Sequence, residues 1–532
     1  MSLPLAAGTA LELELFGVLV GVTLLLLLAY RVRVPYPILL VLGGAALGFV
    51  PGTPDLRLQP DVILVAFLPP LLYAAAFFSS LHDLRDNLRA ISLLAVGLVV
   101  LTMVVVAVVA HGVAGMPWAA AFVLGAVVSP TDPTAATAIA SRLGAPRRYV
   151  TIVEGEALIN DSTALIAFKF ATAAVLTGGF SATDAAGHFV VEAAAGIAIG
   201  LAVGYVVARV RKVLDDAPTE VSISLITPYF AYLPAEALGV SAVLSAVTAG
   251  VYLGWRSPEL ITPSTRIQAF SVWELLVFVL NAVLFVLVGL SLPTVLDGIQ
   301  GISKVDILVD AAAVCAAVIA TRFVWVFVSG YLPGKLWRAL REQDPPDWSF
   351  AAIVGWTGMR GAVSLAAALA IPETLGNGQP FPDRDLIVFL VYAVILATLV
   401  PQGLTLPALI RRLGIEDDGT EESHETTARL LAAQAAIDRI DALRGEDWVR
   451  EETAERMRRA YEFRVRRFSA RFDEGDDGEI EEGSIQYQRL RRKVLEAERA
   501  TIVRLRNQGR INDQTMHRIE RDLDLEDTRL EL

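Results

Sequence analysis

The feature that most constrains this chain is a series of apolar segments, each about 20 residues long, that runs through most of its length. An α-helix rises about 1.5 Å per residue, so about 20 apolar residues cross the ~30 Å hydrocarbon core of a bilayer. Hydrophobic residues make up 54% of the 532 residues, and charged residues make up 19%. A soluble domain carries about 25% charged residues. We therefore expect an all-α polytopic membrane protein.

Segment length predicts about thirteen transmembrane helices. They lie near residues 12–30, 36–50, 61–79, 89–113, 117–141, 149–178, 187–210, 221–235, 238–254, 268–292, 305–332, 349–371 and 385–410. A highly charged segment follows them. The expected domains are a transmembrane domain at 1–413 and a cytoplasmic helical C-terminal domain at 414–532. Nothing near the N-terminus resembles a cleaved signal, so the first segment is expected to be retained.

Loop charges give an orientation, because cytoplasmic loops collect Lys and Arg. Alternate loops carry the residues Arg31, Arg33, Arg85, Arg89, Arg142, Arg147, Arg148, Arg209, Arg211, Lys212, Arg256, Arg266, Lys335, Arg338, Arg341, Arg411 and Arg412. The other loops carry only Arg57, Lys304 and Arg384. This alternation predicts a multi-pass protein of the cell membrane with its N-terminus outside and its tail in the cytoplasm.

Several function classes are disfavoured by composition. The single cysteine, Cys315, lies in an apolar segment, and the five histidines have no metal-binding spacing. The net charge of −12 argues against nucleic acid as a partner. No Ser/His pair, catalytic aspartate pair or zinc ligand set occurs at membrane depth, so we expect neither an enzyme nor a bound cofactor.

The fifth segment carries the motif SPTDPTA, in which Pro130 and Pro133 bracket Thr131 and Asp132. Two prolines remove backbone donors and break the helix near its middle. Unpaired backbone is tolerated at that depth only where it lines a cavity or is buried in protein. Freed carbonyls and Thr131 are then candidate cation ligands, and Asp132 is expected at a half-helix N-terminus. A structural proline kink is the alternative.

The sixth segment contains EGEALINDSTAL. Glu156 and Asn160 are four residues apart and share a face. Asp161 lies roughly 18 Å from the cytoplasmic end, near the midplane, beside the small residue Ala157. A charged group at that depth is a candidate functional site. The alternative is a carboxylate neutralised by a structural partner, and Glu154 is expected to be structural.

The twelfth segment contains GMRGAVSLA, with Gly358 and Gly361 around Arg360. An arginine this deep keeps its charge and requires a partner. We predict that Glu156 is that partner, with Asp132 as the alternative. Arg322 in the eleventh segment also needs a partner, which the sequence does not identify.

The two interrupted segments occupy matching positions in two groups of six, the fifth of each. Such pairs point to a transporter site at the midplane and to two inverted repeats. The sequence itself shows no obvious internal repeat, so the repeats are an expectation from topology.

The motifs together resemble the sodium/proton exchanger branch of the monovalent cation–proton antiporters, as in a bacterial Na⁺/H⁺ antiporter. The resemblance covers most of residues 10–412 and includes FLPPLLY (67–73), SPTDPTA (129–135), EGEALINDSTAL (154–165), VWELLVFVLNAVLFVLVGL (272–290) and GMRGAVSLA (358–366). It implies a homodimer in which a core with two crossed, broken helices moves against a dimerisation domain.

Carried over by position, the resemblance implies that Asp161 binds the transported cation and the proton, with Asn160 beside it. Thr131 and Asp132 would belong to the unwound crossing, and Thr131 would be a cation ligand together with Asp161. Glu156 and Arg360 would form a structural ion pair at the site. Two ligands that some relatives have are missing. Ala157 replaces a serine, and the segment 73–76 lacks an acidic residue.

A single buried carboxylate can hold a proton or a dehydrated cation, but not both. The expected function is therefore exchange of Na⁺ for H⁺, one for one and electroneutral because Asn160 replaces a second aspartate, serving pH and cation homeostasis. K⁺ and Li⁺ are alternative cations, and a K⁺/H⁺ antiporter, a cation channel and a cation sensor are alternative functions.

The tail is expected to be helical, with apolar stripes at Leu430, Ile437, Ile440 and Leu443 and at Val494, Leu495, Ile502 and Leu505. The acidic run 473–483 is expected to be a solvated linker. A regulatory or dimer-supporting module and a tail of plain charged helices are both compatible with this pattern. No ligand is expected there.

Overall fold

The computed structural model describes residues 5–32, 34–50, 60–178, 182–214, 216–299, 301, 303–331, 348–375, 378–415, 419–470 and 479–528. The chain forms two compact units, Met1–Asp417 and Asp418–Leu532. Within the described residues the fold is all-helical apart from one isolated bridge between Thr374 and Pro380, so the predicted class is confirmed at this level.

Seventeen helices of the first unit lie in the described residues. The first nine are α1 (Leu5–Val32), α2 (Tyr36–Gly48), α3 (Pro60–Phe78), α4 (Leu81–Asp86), α5 (Leu88–Val113), α6 (Trp118–Val128), α7 (Thr134–Arg142), α8 (Arg147–Thr177) and α9 (Ala182–Arg211). The others are α10 (Ala217–Ala237), α11 (Ala242–Leu260), α12 (Pro263–Leu290), α13 (Leu292–Gly298), α14 (Lys304–Tyr331), α15 (Trp348–Trp356), α16 (Ala362–Leu369) and α17 (Arg384–Leu413).

A helix or a pair of half-helices occupies each of the predicted apolar segments. Six helices within the described ranges are long and apolar enough to cross a membrane: α5, α8, most of α9, α12 continued by α13, α14 and α17. Shorter apolar helices lie in α1, α2, α3 and α6. The count of about thirteen crossings therefore stays a prediction. The loop charges Arg33, Arg57, Lys335, Arg338 and Arg341 lie outside the described residues.

Small residues bring some of these helices into backbone contact. Cβ atoms on Gly44 of α2 or Gly289 of α12 would overlap the facing backbone at Val286 and Val41 respectively. In an apolar solvent no hydrophobic effect drives two helices together, so their association depends on this kind of close packing. The α2–α12 contact supports one wall of the cavity described below.

The second unit contains α18 (Thr420–Leu443), α19 (Glu451–Ala470), α20 (Glu479–Asn507) and α21 (Asp513–Thr528). Arg444 and Glu455 join α18 to α19 through a 2.6 Å ion pair. Arg499 joins α20 to α21 through Asp524 at 2.7 Å and Asp527 at 3.0 Å. Exposed pairs of this kind each contribute little stability.

Two expectations for the second unit need correction. Leu495 is fully buried and Ile437 is buried, as the apolar stripes predicted, but Val494 is exposed. The predicted linker 473–483 is also too long, because α20 already begins at Glu479. Glu479, Glu481 and Glu482 thus belong to this helix. Residues 473–478 lie outside the described residues.

Candidate cation-binding site

The fifth apolar segment is interrupted where its two prolines predict. Helix α6 ends at Val128 and α7 begins at Thr134, with residues 129–133 outside any helix. The Asp132 side chain accepts a hydrogen bond of 2.9 Å from the backbone N–H of Thr134. This carboxylate therefore lies at the N-terminus of α7, where the helix dipole favours negative charge.

The twelfth segment is interrupted in the same way, and the two breaks are in contact. Helix α15 ends at Trp356 and α16 begins at Ala362. The backbone N–H of Asp132 donates to the carbonyl of Met359 at 2.8 Å. A Cβ on Gly361 would collide with the Asp132 side chain, so glycine is needed here for close approach. The non-helical backbone of each break is thus buried against the other.

Helix α8 brings the predicted polar residues to this crossing. The Asn160 amide donates to Thr131 Oγ1 at 2.8 Å, and the Thr131 hydroxyl donates to Glu156 Oε1 at 3.0 Å. Asn160 and Glu156 are each 1% exposed. The structure thus places Asn160 in a hydrogen-bond chain with Thr131 and does not place it on the cavity wall. Asn160 therefore contacts the cavity-lining Thr131 and does not itself line the cavity.

The predicted ion pair between Glu156 and Arg360 is wrong. Glu156 pairs with Arg322 of α14 in a bidentate arrangement, with Nη1–Oε1 at 2.5 Å and Nη2–Oε2 at 2.8 Å. Arg322 Nε also donates to the Val354 carbonyl at 3.0 Å. Both side chains of the pair are 1% exposed. The partner that Arg322 required is therefore Glu156.

Arg360 instead forms hydrogen bonds with backbone carbonyls, one of them within the break of the twelfth segment. Its Nε donates to the Val128 carbonyl at 3.0 Å, and its Nη1 donates to the Gly358 carbonyl. Its backbone N–H donates to Thr398 Oγ1 at 3.1 Å. Val128 ends α6, and a helix C-terminus carries partial negative charge. Backbone dipoles therefore offset the charge of the Arg360 guanidinium. Glu156 is then available for its ion pair with Arg322.

A cavity of about 750 Å³ reaches this crossing. Asp161 lines it and is 8% exposed. The Asp161 carboxylate forms no hydrogen bond or ion pair with any residue that the structure describes, and its charged neighbour is another carboxylate, Asp132. Ala157, next to it on α8, leaves space on the cavity side. Among the predicted site residues, Asp161, Asp132 and Thr131 face this space.

Two residues around the site, Thr398 and Glu274, and the partner of a third, Arg322, were not identified from the sequence. Arg322 pairs with Glu156, and Thr398 accepts a hydrogen bond from the backbone N–H of Arg360. Glu274 of α12 lines the cavity. Glu274 carried a usable signal, because it is the only acidic residue of α12. An isolated charge within an apolar segment marks a functional position.

Gly361 provides a test of the contact between the two breaks. We expect Gly361→Ala to lower stability by about 1–3 kcal/mol, because the added methyl group must displace the Asp132 side chain. The measurement is the apparent melting temperature of the purified protein in detergent. Gly112→Ala in α5 is the matched control, since a Cβ there meets no atom within 4 Å. Equal melting temperatures for the two variants would contradict the close contact.

Comparison with known proteins supports a single family. The family model described as "Sodium/hydrogen exchanger, transmembrane" matches residues 18–412. An uncharacterized Na⁺/H⁺ exchanger of Mycobacterium tuberculosis is 37% identical over 510 residues, covering 94% of this chain and 93% of the relative. The sodium, potassium, lithium and rubidium/H⁺ antiporter of Bacillus subtilis is 34% identical over 390 residues, covering 71% of this chain and 58% of the relative.

A solved structure is similar in fold. The sodium proton antiporter MjNhaP1 of Methanocaldococcus jannaschii, at pH 8, superposes with a TM-score of 0.61. The match covers 76% of this chain and 99% of that chain at 16% sequence identity, so it bears on the fold alone. The chain therefore belongs to the transmembrane sodium/hydrogen exchanger family, whose members are antiporters of monovalent cations and protons and not enzymes.

Proposed function

We propose that this protein exchanges one monovalent cation for one proton and that both bind at Asp161. The proposal rests on the surroundings of the Asp161 carboxylate. It is 8% exposed, it faces a cavity, and it has no hydrogen-bond or ion-pair partner among the described residues. The other charged groups at the crossing have partners: Glu156 binds Arg322, Asp132 caps α7, and Arg360 binds carbonyls. Asp161 is left to bind what enters the cavity.

Competition at this one carboxylate gives the exchange. Burial disfavours the charged carboxylate, which favours binding of a proton, and a bound cation favours the charged form. A proton and a cation therefore exclude each other at Asp161. Asn160 occupies the position where a second aspartate would add a charge, and its amide is committed to Thr131. One titrating carboxylate predicts one proton per cation and no net charge moved.

The proposed exchange also requires the membrane unit to open Asp161 to each side of the membrane in turn. We propose about thirteen spans in two inverted repeats, with the N-terminus outside and the tail in the cytoplasm of a plasma-membrane homodimer. Support comes from the two broken segments at equivalent positions, the usual location of a midplane transport site. The core with the two breaks would move against the remaining helices and expose Asp161 to each side in turn.

Na⁺ is the proposed first substrate, with K⁺ and Li⁺ as further substrates. Ala157 supplies no oxygen ligand, and Thr131 Oγ1 already accepts a hydrogen bond from the Asn160 amide. With few side-chain oxygens at the site, discrimination by size is expected to be weak. The name of the Bacillus subtilis relative, which covers sodium, potassium, lithium and rubidium, is in line with a broad range of cations.

The test is transport by the purified protein in liposomes that contain a pH-sensitive dye. Addition of NaCl outside should raise the internal pH, as should LiCl or KCl, whereas choline chloride should not. An imposed membrane potential, set with a thiocyanate gradient, should leave the initial rate unchanged. Radioactive Na⁺ uptake without proton movement would support the channel alternative and contradict exchange. A rate that follows the potential would contradict the 1:1 stoichiometry.

A further inference from the structure

A basic face on helix α19 has no role in the proposed exchange. The helix spans Glu451–Ala470 and carries six arginines and four glutamates, which are unevenly distributed around it. Side chains that are three, four or seven residues apart share a helix face. The residues at these distances from Phe463 include Arg456, Arg459, Ala460, Arg466 and Arg467. Together with Phe463 they form what we call the basic face, which places one aromatic ring among four arginines.

The basic face is turned away from the interior of the second unit. Ala454 lies nine residues before Phe463, about two and a half turns, and so lies on the opposite side of the helix. Ala454 is buried, at 4% exposure, whereas Phe463 is 46% exposed. Arg456, Arg459 and Arg466 are exposed as well. Both the charges and the aromatic ring are thus available to a partner.

The glutamates next to this face form closer ion pairs with arginines outside it. Glu455 binds Arg444 at 2.6 Å, and Glu462 binds Arg458 at 3.2 Å. Arg459, which belongs to the basic face, is 3.9 Å from Glu455, the longer of the two contacts of that carboxylate. Most of the acidic charge of the helix is therefore used on its other sides.

The basic face keeps an excess of positive charge. Arg456 and Arg466 form no hydrogen bond or ion pair with a residue that the structure describes. Glu452 lies on the same side of the helix, but it is eleven residues before Phe463, roughly 16 Å along the axis. The excess occurs in a chain whose net charge is −12. A surface with one sign of charge attracts partners of the opposite sign.

The chain itself tethers this face to a membrane. The last apolar helix, α17, ends at Leu413, and α18 begins at Thr420, so only residues 414–419 connect them. The Arg429 guanidinium of α18 lies over the Phe468 ring of α19, 5.9 Å from its centre. The C-terminal half of α19 therefore lies beside the first half of α18, the half that follows the connection. A short tether gives the bilayer a high effective concentration at this face.

We propose that the basic face docks on the anionic phospholipid headgroups of the membrane, with α19 along the bilayer surface and Phe463 inserted among the headgroups. Planar guanidinium groups match phosphate oxygens with paired hydrogen bonds. Binding of a surface helix increases with the apolar area that it buries and with the attraction between its basic residues and anionic lipid. This face supplies both. Phe463 favours lipid over an acidic protein surface, because the boundary with the acyl chains removes the ring from water.

The experiment follows a fluorescent label on the basic face of the full-length protein in liposomes. Cys315 is the single cysteine, so Cys315→Ala gives a background in which Ala460→Cys carries the only label. A nitrobenzoxadiazole label there should be quenched by spin-labelled lipid in liposomes of phosphatidylcholine with phosphatidylglycerol. Liposomes of phosphatidylcholine alone should give little quenching. Choline chloride at high concentration should reduce the quenching in anionic liposomes, because salt screens exposed charges.

Removal of three charges from the face should release it from the lipid. Each basic residue near an anionic surface contributes about a factor of five, so Arg456→Gln, Arg459→Gln and Arg466→Gln together should lower the ratio of docked to undocked protein roughly a hundredfold. Phe463→Ser alone should reduce the quenching while all the charges remain. These side chains are exposed, so the variants should fold as the wild type does.

The matched control removes three charges from other exposed positions of the same unit. Arg489→Gln and Arg492→Gln in α20 with Arg518→Gln in α21 change the net charge by the same amount. Quenching of the label at position 460 should equal that of the parent protein. The Asp161→Asn variant should also keep full quenching, because docking does not involve the exchange site.

Four outcomes would overturn the inference. They are equal quenching in neutral and anionic liposomes, full quenching in the triple variant of the basic face, an equal loss in the control triple variant, and a label that responds to polyglutamate or RNA but not to anionic lipid. The last result would assign the face to an acidic protein or to nucleic acid. An absence of exchange would overturn the proposed function and leave the docking of α19 intact, so the two failures are distinguishable.

Discussion

Replacement of Asp161 by asparagine is expected to abolish cation-coupled proton movement while leaving the protein folded. The change removes the one unpartnered carboxylate of the crossing, and an amide can neither take up and release a proton nor balance the charge of a cation. Asparagine has nearly the same size, and Asp161 makes no hydrogen bond to a described residue that the change would break. The measurement is the cation-induced pH change in everted vesicles, for Na⁺, K⁺ and Li⁺ separately.

The matched control for this variant is Asp310→Asn. Asp310 is 6% exposed within α14, so it is a buried carboxylate of the same unit, and it does not line the cavity. Exchange by this control should be close to wild type. If Asp161→Asn still dissipated an imposed pH gradient on addition of cation, the proposed role of Asp161 would be refuted. If both variants lost exchange equally, the effect would come from buried charge in general.

The second large effect is expected on stability when the buried pair of Glu156 and Arg322 is broken. Removal of one partner leaves an uncompensated charge in a site that is 1% exposed, which costs about 3–5 kcal/mol. Glu156→Gln and Arg322→Met should each lower the apparent melting temperature in detergent by several degrees. The double variant should lose much less than the sum of the two, because neither charge is left alone.

A comparison with Arg360 distinguishes the two possible ion-pair partners of Glu156, which are Arg322 and Arg360. A double-mutant cycle between positions 156 and 322 should show a large coupling energy, whereas the cycle between 156 and 360 should show a small one. Arg360 donates to the carbonyls of Val128 and Gly358, so its loss affects the breaks more than it affects Glu156. Larger coupling at 156 and 360 than at 156 and 322 would contradict the arrangement described here.

The course of the chain through the membrane unit was largely predictable, because its signals are local. Helix length follows from the apolar segments, and the breaks at 129–133 and 357–361 follow from Pro130, Pro133, Gly358 and Gly361. The position of Asp132 at the start of α7 follows from the same local pattern. These features depend on neighbours within a few residues, which a single sequence displays.

The pairing of charges was not predictable in the same way. Glu156, Arg322 and Arg360 lie on three different elements, and the sequence does not show which faces meet. Arg360 was assigned to Glu156 because its carbonyl partners are backbone atoms, which every residue has and which carry no sequence signal. Glu274 was missed because it lies inside a long apolar motif, although its isolation there was visible.

The balance of charges where the two breaks cross has a consequence for uncoupled movement of ions through the protein. Arg322 pairs with Glu156, and Arg360 and Asp132 carry opposite formal charges in the two joined breaks, so the formal charges of these four groups cancel. A core with either a proton or a cation bound at Asp161 would then have no net charge at the crossing. An empty core would carry one bare anion through a medium in which an isolated charge is strongly disfavoured. If Asp161 works as proposed, we expect the unloaded protein to stay open to one side of the membrane, which would prevent uncoupled movement of ions down their gradients.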